Sequence, residues 1–474
     1  MSSKRMNLSV QPDILSSLPN LVLVMIISSL SFKECLRTSV LSKRWRHLCY
    51  ETRNIVFKKS EYVDRSVSDQ KSERALFVNY MRQWVSRFQG GYIESFEIYF
   101  GYPLGFEAEI ESLIEFAVLK QVKNLVLDFS APHWRTASNA LPFNISFVEL
   151  PLCVYSLTTL ESLKIYSCGF DLSKFMNSRL PRKLSIGWNK LANVESFLSN
   201  SPTLESLSIK FCWGVDIKKI AGDMREFVFE NCKFSSDDKN CSFDLPVVET
   251  FKYSGPVLSF SSKRINMAIK DVYLDFMDEN GYDEPDQRTK VEAEVISGFL
   301  NSLRGARTLT VCPYLLQVIQ EYENPFSLDR LMETQHLVLR TKLNVVEFKG
   351  IRLFLNNCPK LETLTFDYLG RNIFSHCVTY CGINRRTYWQ QKRAYKYLPN
   401  TLKVVVFRNF TGGKNELYIL NFLIGSGRGR RPGPVLERVE LYLKNDIHEK
   451  MVALSQAKIL QSTSGDVQVL VYNT

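Results

Sequence analysis

The chain has five histidines for proton relay or imidazole ligation: His47, His133, His336, His376 and His448. None stands in a nucleophile or metal-ligand motif. His376-Cys377 with Cys381 comes nearest to a metal cluster, but no second pair follows at ligand spacing. Gly425-Ser426-Gly427 lacks the Gly-Lys-Ser/Thr ending of a phosphate loop, and there is no Gly-x-Ser-x-Gly elbow. The reading therefore expects no catalytic residue, no metal ligand set and no cofactor. The chemistry on offer is recognition. Between Leu18 and Leu48 an apolar series (Leu21, Val22, Met25, Ile26, Leu30, Val40, Leu41) is interleaved with Lys33, Arg37, Lys43, Arg44 and Arg46. An apolar face with a basic rim suits an acidic protein partner, the apolar part supplying most of the binding energy.

The elements that must hold this stretch are short amphipathic helices, with breaks near Ser31 and at Leu41-Ser42. Some forty residues cannot bury a full core alone, so either the rest of the chain or another protein must cover it. The 474 residues have 45% apolar and 23% charged content, as expected of folded protein rather than a disordered chain. A net charge of +11 is modest for this length, and only a concentrated patch would argue for nucleic acid. Eleven scattered cysteines suggest free thiols in a reducing compartment, the nucleus or cytoplasm. The apolar run 21–27 is too short to span a bilayer, and Pro12, Asp13 and Pro19 interrupt any signal-peptide pattern.

From about residue 91 one unit recurs: apolar-x-x-apolar-x-apolar, often closed by Cys or Asn. It reads Leu160-Leu163-Ile165-Cys168, Pro181-Leu184-Ile186-Asn189, Leu204-Leu207-Ile209-Cys212 and Met224-Phe227-Phe229-Cys232. Weaker copies are centred on Phe96, Leu125, Phe251, Val272, Leu309, Leu337 and Leu364. Central positions from Leu163 to Val272 recur about every 20 to 24 residues, the period of leucine-rich repeats. Alternation turns Leu163 and Ile165 inward and Lys164 and Tyr166 outward, so stacked units give a parallel sheet. The outward positions Lys164, Tyr166, Ser208, Lys210, Glu230, Lys252, Tyr273 and Asp275 are the candidate substrate surface. Residues 278–294 are acidic and read as a solvated loop rather than a calcium loop. The basic-aromatic stretch 371–398, with Arg385, Arg386, Tyr388, Trp389 and Tyr395, could stack on single-stranded nucleic acid or pack on the repeats.

With Asp13, Leu18-Pro19, Ile26, Ser28, Leu30, the run Arg37-Thr38-Ser39-Val40-Leu41-Ser42-Lys43-Arg44-Trp45-Arg46 and Leu48, the N-terminal stretch resembles a plant-type F-box. Asn20-Leu21 stand where family members usually carry acidic residues. Beyond Leu402 a strand, a Gly412-Gly413 turn, a helix over 416–424 and a strand from Val435 resemble the FBD region of plant F-box proteins. The insertion Gly427-Arg428-Gly429-Arg430-Arg431-Pro432 departs from it. The implied organisation is a tail over 1–12, the F-box over 13–55 and a connector with a linker helix over 56–90. A repeat solenoid over 91–400 and an FBD-like region over 401–474 follow. The implied fold class is α/β: a three-helix F-box, then an irregular leucine-rich-repeat solenoid with its parallel sheet on the concave face.

The resemblance implies a non-catalytic substrate-recognition subunit of an SCF-type ubiquitin ligase. Its F-box docks a Skp-family adaptor, and through it a cullin-RING ligase, while the repeats take a protein substrate. Leu18, Pro19, Leu21, Val22, Ile26, Leu30, Val40, Leu41, Ser42, Trp45 and Leu48 are then the adaptor-binding candidates, Trp45 the foremost anchor. Two alternatives stay open: a repeat scaffold that no longer docks the adaptor, and an RNA-binding solenoid. No membrane partner is expected.

Overall fold

Four of the repeats fold by one local rule. A five- or six-residue strand places two apolar side chains inward, one residue turns left-handed, and a buried Cys or Asn follows. Ser167, Trp188, Phe211 and Asn231 hold φ between 48° and 55°, each directly before Cys168, Asn189, Cys212 or Cys232. The N–H groups of Ser167, Phe211 and Asn231 donate to the Gly187, Glu230 and Ser254 carbonyls of the next repeat at 2.9, 2.8 and 2.7 Å. The turn thus continues the inter-repeat ladder and offsets the cost of about 1–3 kcal/mol for a non-glycine residue held in this region. The Cys168, Cys212 and Cys232 thiols are buried, and those of Cys212 and Cys232 donate to nearby carbonyls (Lys210 and Glu230) at 3.5 and 3.4 Å.

The computed structural model describes residues 14–62, 70–131, 134, 148–175, 181–192, 194–199, 201–235, 240–265, 268–276, 287–319, 331–368, 383–390, 395, 397–426, 436–444 and 447–473. The chain divides into two units, Met1–Asn189 and Lys190–Thr474. The tail over 1–12, Asp13, the His376-Cys377-Cys381 group and the arginine-rich insertion 427–432 lie outside the described residues.

The first unit opens with helices α1 (Ile14–Ser17), α2 (Asn20–Ser29), α3 (Phe32–Thr38) and α4 (Lys43–Leu48). The breaks fall where the sequence placed them, and the reason is capping. Ser31 and Glu34 form a reciprocal capping box at the start of α3, and Ser42 accepts the Trp45 N–H at 3.3 Å at the start of α4. Strand β1 (Asn54–Lys58) and helix α5 (Gln70–Ser86) come next, then repeat strands Ser95–Tyr99, Asn124–Asp128, Ser162–Tyr166 and Lys183–Gly187. All pair in parallel, with Ile55, Phe96, Leu125, Leu163 and Leu184 on one inward rung. The connector expected from residue 56 therefore begins inside the first strand of the sheet.

The second unit stacks ten parallel strands between Ser206–Lys210 and Gln468–Asn473. Its inward rung runs Leu207, Phe227, Phe251, Val272, Leu309, Leu337, Leu364, Val405, Val439, Val469. Full burial of such a side chain contributes roughly 1.5–3 kcal/mol. Strand Val404–Phe410, helix Lys414–Ser426 and strand Arg438–Leu443 realise the expected C-terminal pattern, and helix Ile447–Thr463 and strand Gln468–Asn473 extend it. The fold class is α/β with a helical N-terminal module and mostly parallel repeat sheets.

One expectation for this unit is corrected, and one choice left open by the sequence is narrowed. The acidic stretch is helical from Gln287, because Ala293 and Ile296 of helix Gln287–Ser302 find a core to bury in. Of the two readings of 371–398, packing holds for Trp389 and Tyr395. They are buried, Trp389 packing on Phe348 at 4.9 Å and Tyr395 on Phe422 at 4.6 Å, with Arg352 over the Tyr395 ring. Among the described residues no helix is long and apolar enough to cross a membrane, and no group of three or more His, Cys, Asp or Glu converges as a metal site.

Candidate protein-docking site

The amphipathic helix expected here is corrected: α2, Asn-Leu-Val-Leu-Val-Met-Ile-Ile-Ser-Ser, is apolar all round, since Leu, Val, Met and Ile fill successive positions. One side of it is spoken for: Leu23, Val24 and Ile27 form a core with Cys35, Trp45, Leu48 and Cys49. The other side is bare. Leu21 is 66% exposed, Val22 38% and Met25 59%, and Leu15 of α1 is 54% exposed. An α-helix apolar on every face is normally covered on every face. A second apolar point lies at the turn between α3 and α4, where Val40 and Leu41 are largely exposed. The exposed cations Lys33, Arg37, Lys43 and Arg46 stand on α3 and α4.

The module is braced around this face. Arg44 of α4 donates from Nε to Asn20 Oδ1 at 2.9 Å and from Nη2 to the Leu18 carbonyl at 2.5 Å, fixing the Leu-Pro entry into α2. Asn20 thus accepts the guanidinium in place of a carboxylate. Ser31 donates to Glu34 from its hydroxyl and its N–H, and these two bonds hold the Glu34 carboxyl below its usual range. Burial pushes the Cys35 thiol up to about 12, so it is a small apolar core group.

The adaptor-binding candidates separate into two sets. Pro19, Leu21, Val22, Val40 and Leu41 are exposed, and Leu18, Ile26 and Leu30 are half-buried. Trp45 and Leu48 are corrected: at 4% and 2% exposure they are core residues, and neither presents a surface to a partner. Ser42 is half-buried and caps α4. Leu15, ahead of the Leu-Pro pair, and Met25 of the apolar series join the exposed set.

On the repeats, the eight outward candidates all lie on strand positions between buried neighbours or at strand ends. Lys164 and Tyr166 belong to the first unit, where Tyr166 shares a hydrogen bond with Ser185 at 2.7 Å. In the second unit Lys210 pairs with Glu230 at 3.0 Å, and Ser208 and Lys252 are half-buried. Tyr273 donates to Asp275 at 3.1 Å, and Arg340 bonds both while lying 5.5 Å over the Tyr273 ring. Arg340 is a polar centre of this face that the sequence reading missed, since it lies 65 residues from Asp275.

A family model described as the F-box domain matches residues 15–56. An F-box/LRR-repeat protein of Arabidopsis thaliana is 64% identical over 479 residues, covering 100% of both chains. A second such protein of that organism is 53% identical over 98% of each. An FBD-associated F-box protein, also from Arabidopsis thaliana, is 25% identical over 99% of this chain and 96% of its own length.

Proposed function

The chain belongs to the plant F-box/LRR-repeat proteins, and from that premise we propose that it is the substrate-recognition subunit of an SCF-type ubiquitin ligase. The bare face of α2 docks a Skp-family adaptor, and the outward rows of the repeat strands take a protein substrate. The observation that carries this reading is the exposure of Leu21, Val22 and Met25 on a helix whose opposite side is already core. Burying such a face yields about 25 cal/mol per Å² of apolar surface, before the costs of association. The exposed cations on α3 and α4 favour an acidic partner and speed its arrival. Ubiquitin transfer itself falls to other subunits of the ligase.

The test is binding of the full chain to a recombinant plant Skp-family adaptor by calorimetry. Wild type should bind at micromolar concentrations or below, and a Leu21→Asp, Met25→Asp double variant should not. Failure of the wild type at those concentrations overturns the ligase reading.

A further inference from the structure

An open groove of about 130 Å³ lies between α3 and the first repeat. Its floor is apolar, made by Phe32 and Leu36 of α3, Phe57 of β1, and Phe77 and Tyr80 of α5. Tyr62 stacks on Tyr80 with centroids 4.6 Å apart and forms one wall. Three charged side chains stand at the lining: Lys33, Lys58 and Glu61. Lys58 and Glu61 satisfy each other across 3.5 Å. Lys33 is exposed and has no acidic partner among the described residues. The groove is therefore apolar within and cationic at its mouth.

Leu36 lies near the end of α3, and two residues past that helix Val40 is 82% exposed and adjoins Leu41 at 62%. Lys33 and Arg37 of α3 and Lys43 of α4 are exposed. Cavities of roughly 150 Å³ take a benzene-sized group, so one large apolar side chain is the natural filling. The charges select the segment that bears it: an acidic one.

We infer that this groove receives a bulky apolar side chain from an acidic segment of the adaptor, as a second contact beside the α2 face. The inference rests on the adaptor-docking reading and adds to it. Because β1 and α5 supply the inner wall, adaptor binding through this groove depends on the first repeat as well as on the helical module.

The experiment uses the full chain and the same adaptor. Lys33→Glu and Leu36→Trp should each weaken binding about tenfold, the size of one good anchor or charge contact. Their melting temperatures should match wild type. If Leu36→Trp melts early, Lys33→Glu decides alone, because its side chain is exposed. A benzophenone amino acid at position 33 should crosslink to an adaptor peptide holding a bulky apolar residue next to Asp or Glu. If both variants bind like wild type while Leu21→Asp does not, the groove inference is overturned and the docking reading stands. Crosslinking only within the chain itself overturns it too. If wild type fails to bind, docking itself has failed.

Discussion

The ring of Phe32 meets that of Phe57 edge-on, with centroids 5.5 Å apart at 81°. Phe32 opens α3 of the helical module, and Phe57 lies in the first repeat strand. Trp84 of α5 completes the contact at 5.2 Å from Phe32 and 5.9 Å from Phe57. Beside it Ser28 of α2 accepts the Arg53 N–H at 3.1 Å, and its carbonyl accepts from Asn54 Nδ2 at 2.7 Å. Module and first repeat share one core. Phe32→Ala should accordingly cost about 3–5 kcal/mol, the usual range for deleting a buried aromatic side chain. Urea unfolding followed by Trp fluorescence measures it; a loss under 1 kcal/mol would mean that the two parts are packed independently.

The two classes of apolar residue in the module should respond oppositely to substitution. Leu21→Asp acts on an exposed side chain and should remove adaptor binding while leaving the melt unchanged. Trp45→Ala empties a core site and should lower stability by about 3–5 kcal/mol. Calorimetric titration and thermal melts on the same preparations separate them. A stable Trp45→Ala chain that has lost binding would restore Trp45 as a contact residue.

Glu347 is fully buried between strand His336–Thr341 and helix Phe348–Asn357, and it accepts from the Thr341 hydroxyl at 2.9 Å and the Asn344 N–H at 2.8 Å. Burial outweighs these bonds and pushes its carboxyl up from 4.5 to about 7. Between those values the native state keeps a proton that the unfolded chain has released. Stability must therefore fall as pH rises through that window and level off above it, by roughly 3 kcal/mol in all. Glu347→Gln abolishes the loss, so its stability relative to wild type should rise between pH 5 and pH 8. Urea midpoints at the two pH values test this, and a flat difference would mean that Glu347 is ionised in the fold.

Gly350 marks a close approach of two helices. A Cβ there would lie 2.1 Å from the Leu316 carbonyl oxygen, a backbone atom of helix Pro313–Val318 that cannot swing away. Gly350→Ala should therefore destabilise the second unit by about 3 kcal/mol through overpacking, although alanine is the better helix former. Denaturant midpoints report it, and an unchanged midpoint would show that the helices can part.

The repeat strands were legible in the sequence because each carries its own evidence. Leu163 and Ile165, or Phe227 and Phe229, are two apart, and a strand turns such a pair to one face whatever its neighbours are. The breaks near Ser31 and at Leu41-Ser42 were legible on the same ground, since the caps that make them act on backbone groups within three residues. The run from Arg37 to Arg46, likewise local, sufficed for the family. Only the tertiary structure could decide which of several apolar residues face the core. Helix α2 has no apolar period, so nothing in its own sequence distinguishes Leu23 from Leu21; the position of Trp45 and Leu48 does. Strand β1 carries a two-apart pair as well, Ile55 and Phe57, but only its pairing with Phe96 and Ile98 shows that the sheet begins there. Trp389 and Tyr395 resemble a binding platform until Phe348 and Phe422 are brought against them. Alternation and capping are properties of neighbours along the chain, whereas burial depends on contacts made across it, and these exist only once the chain has folded.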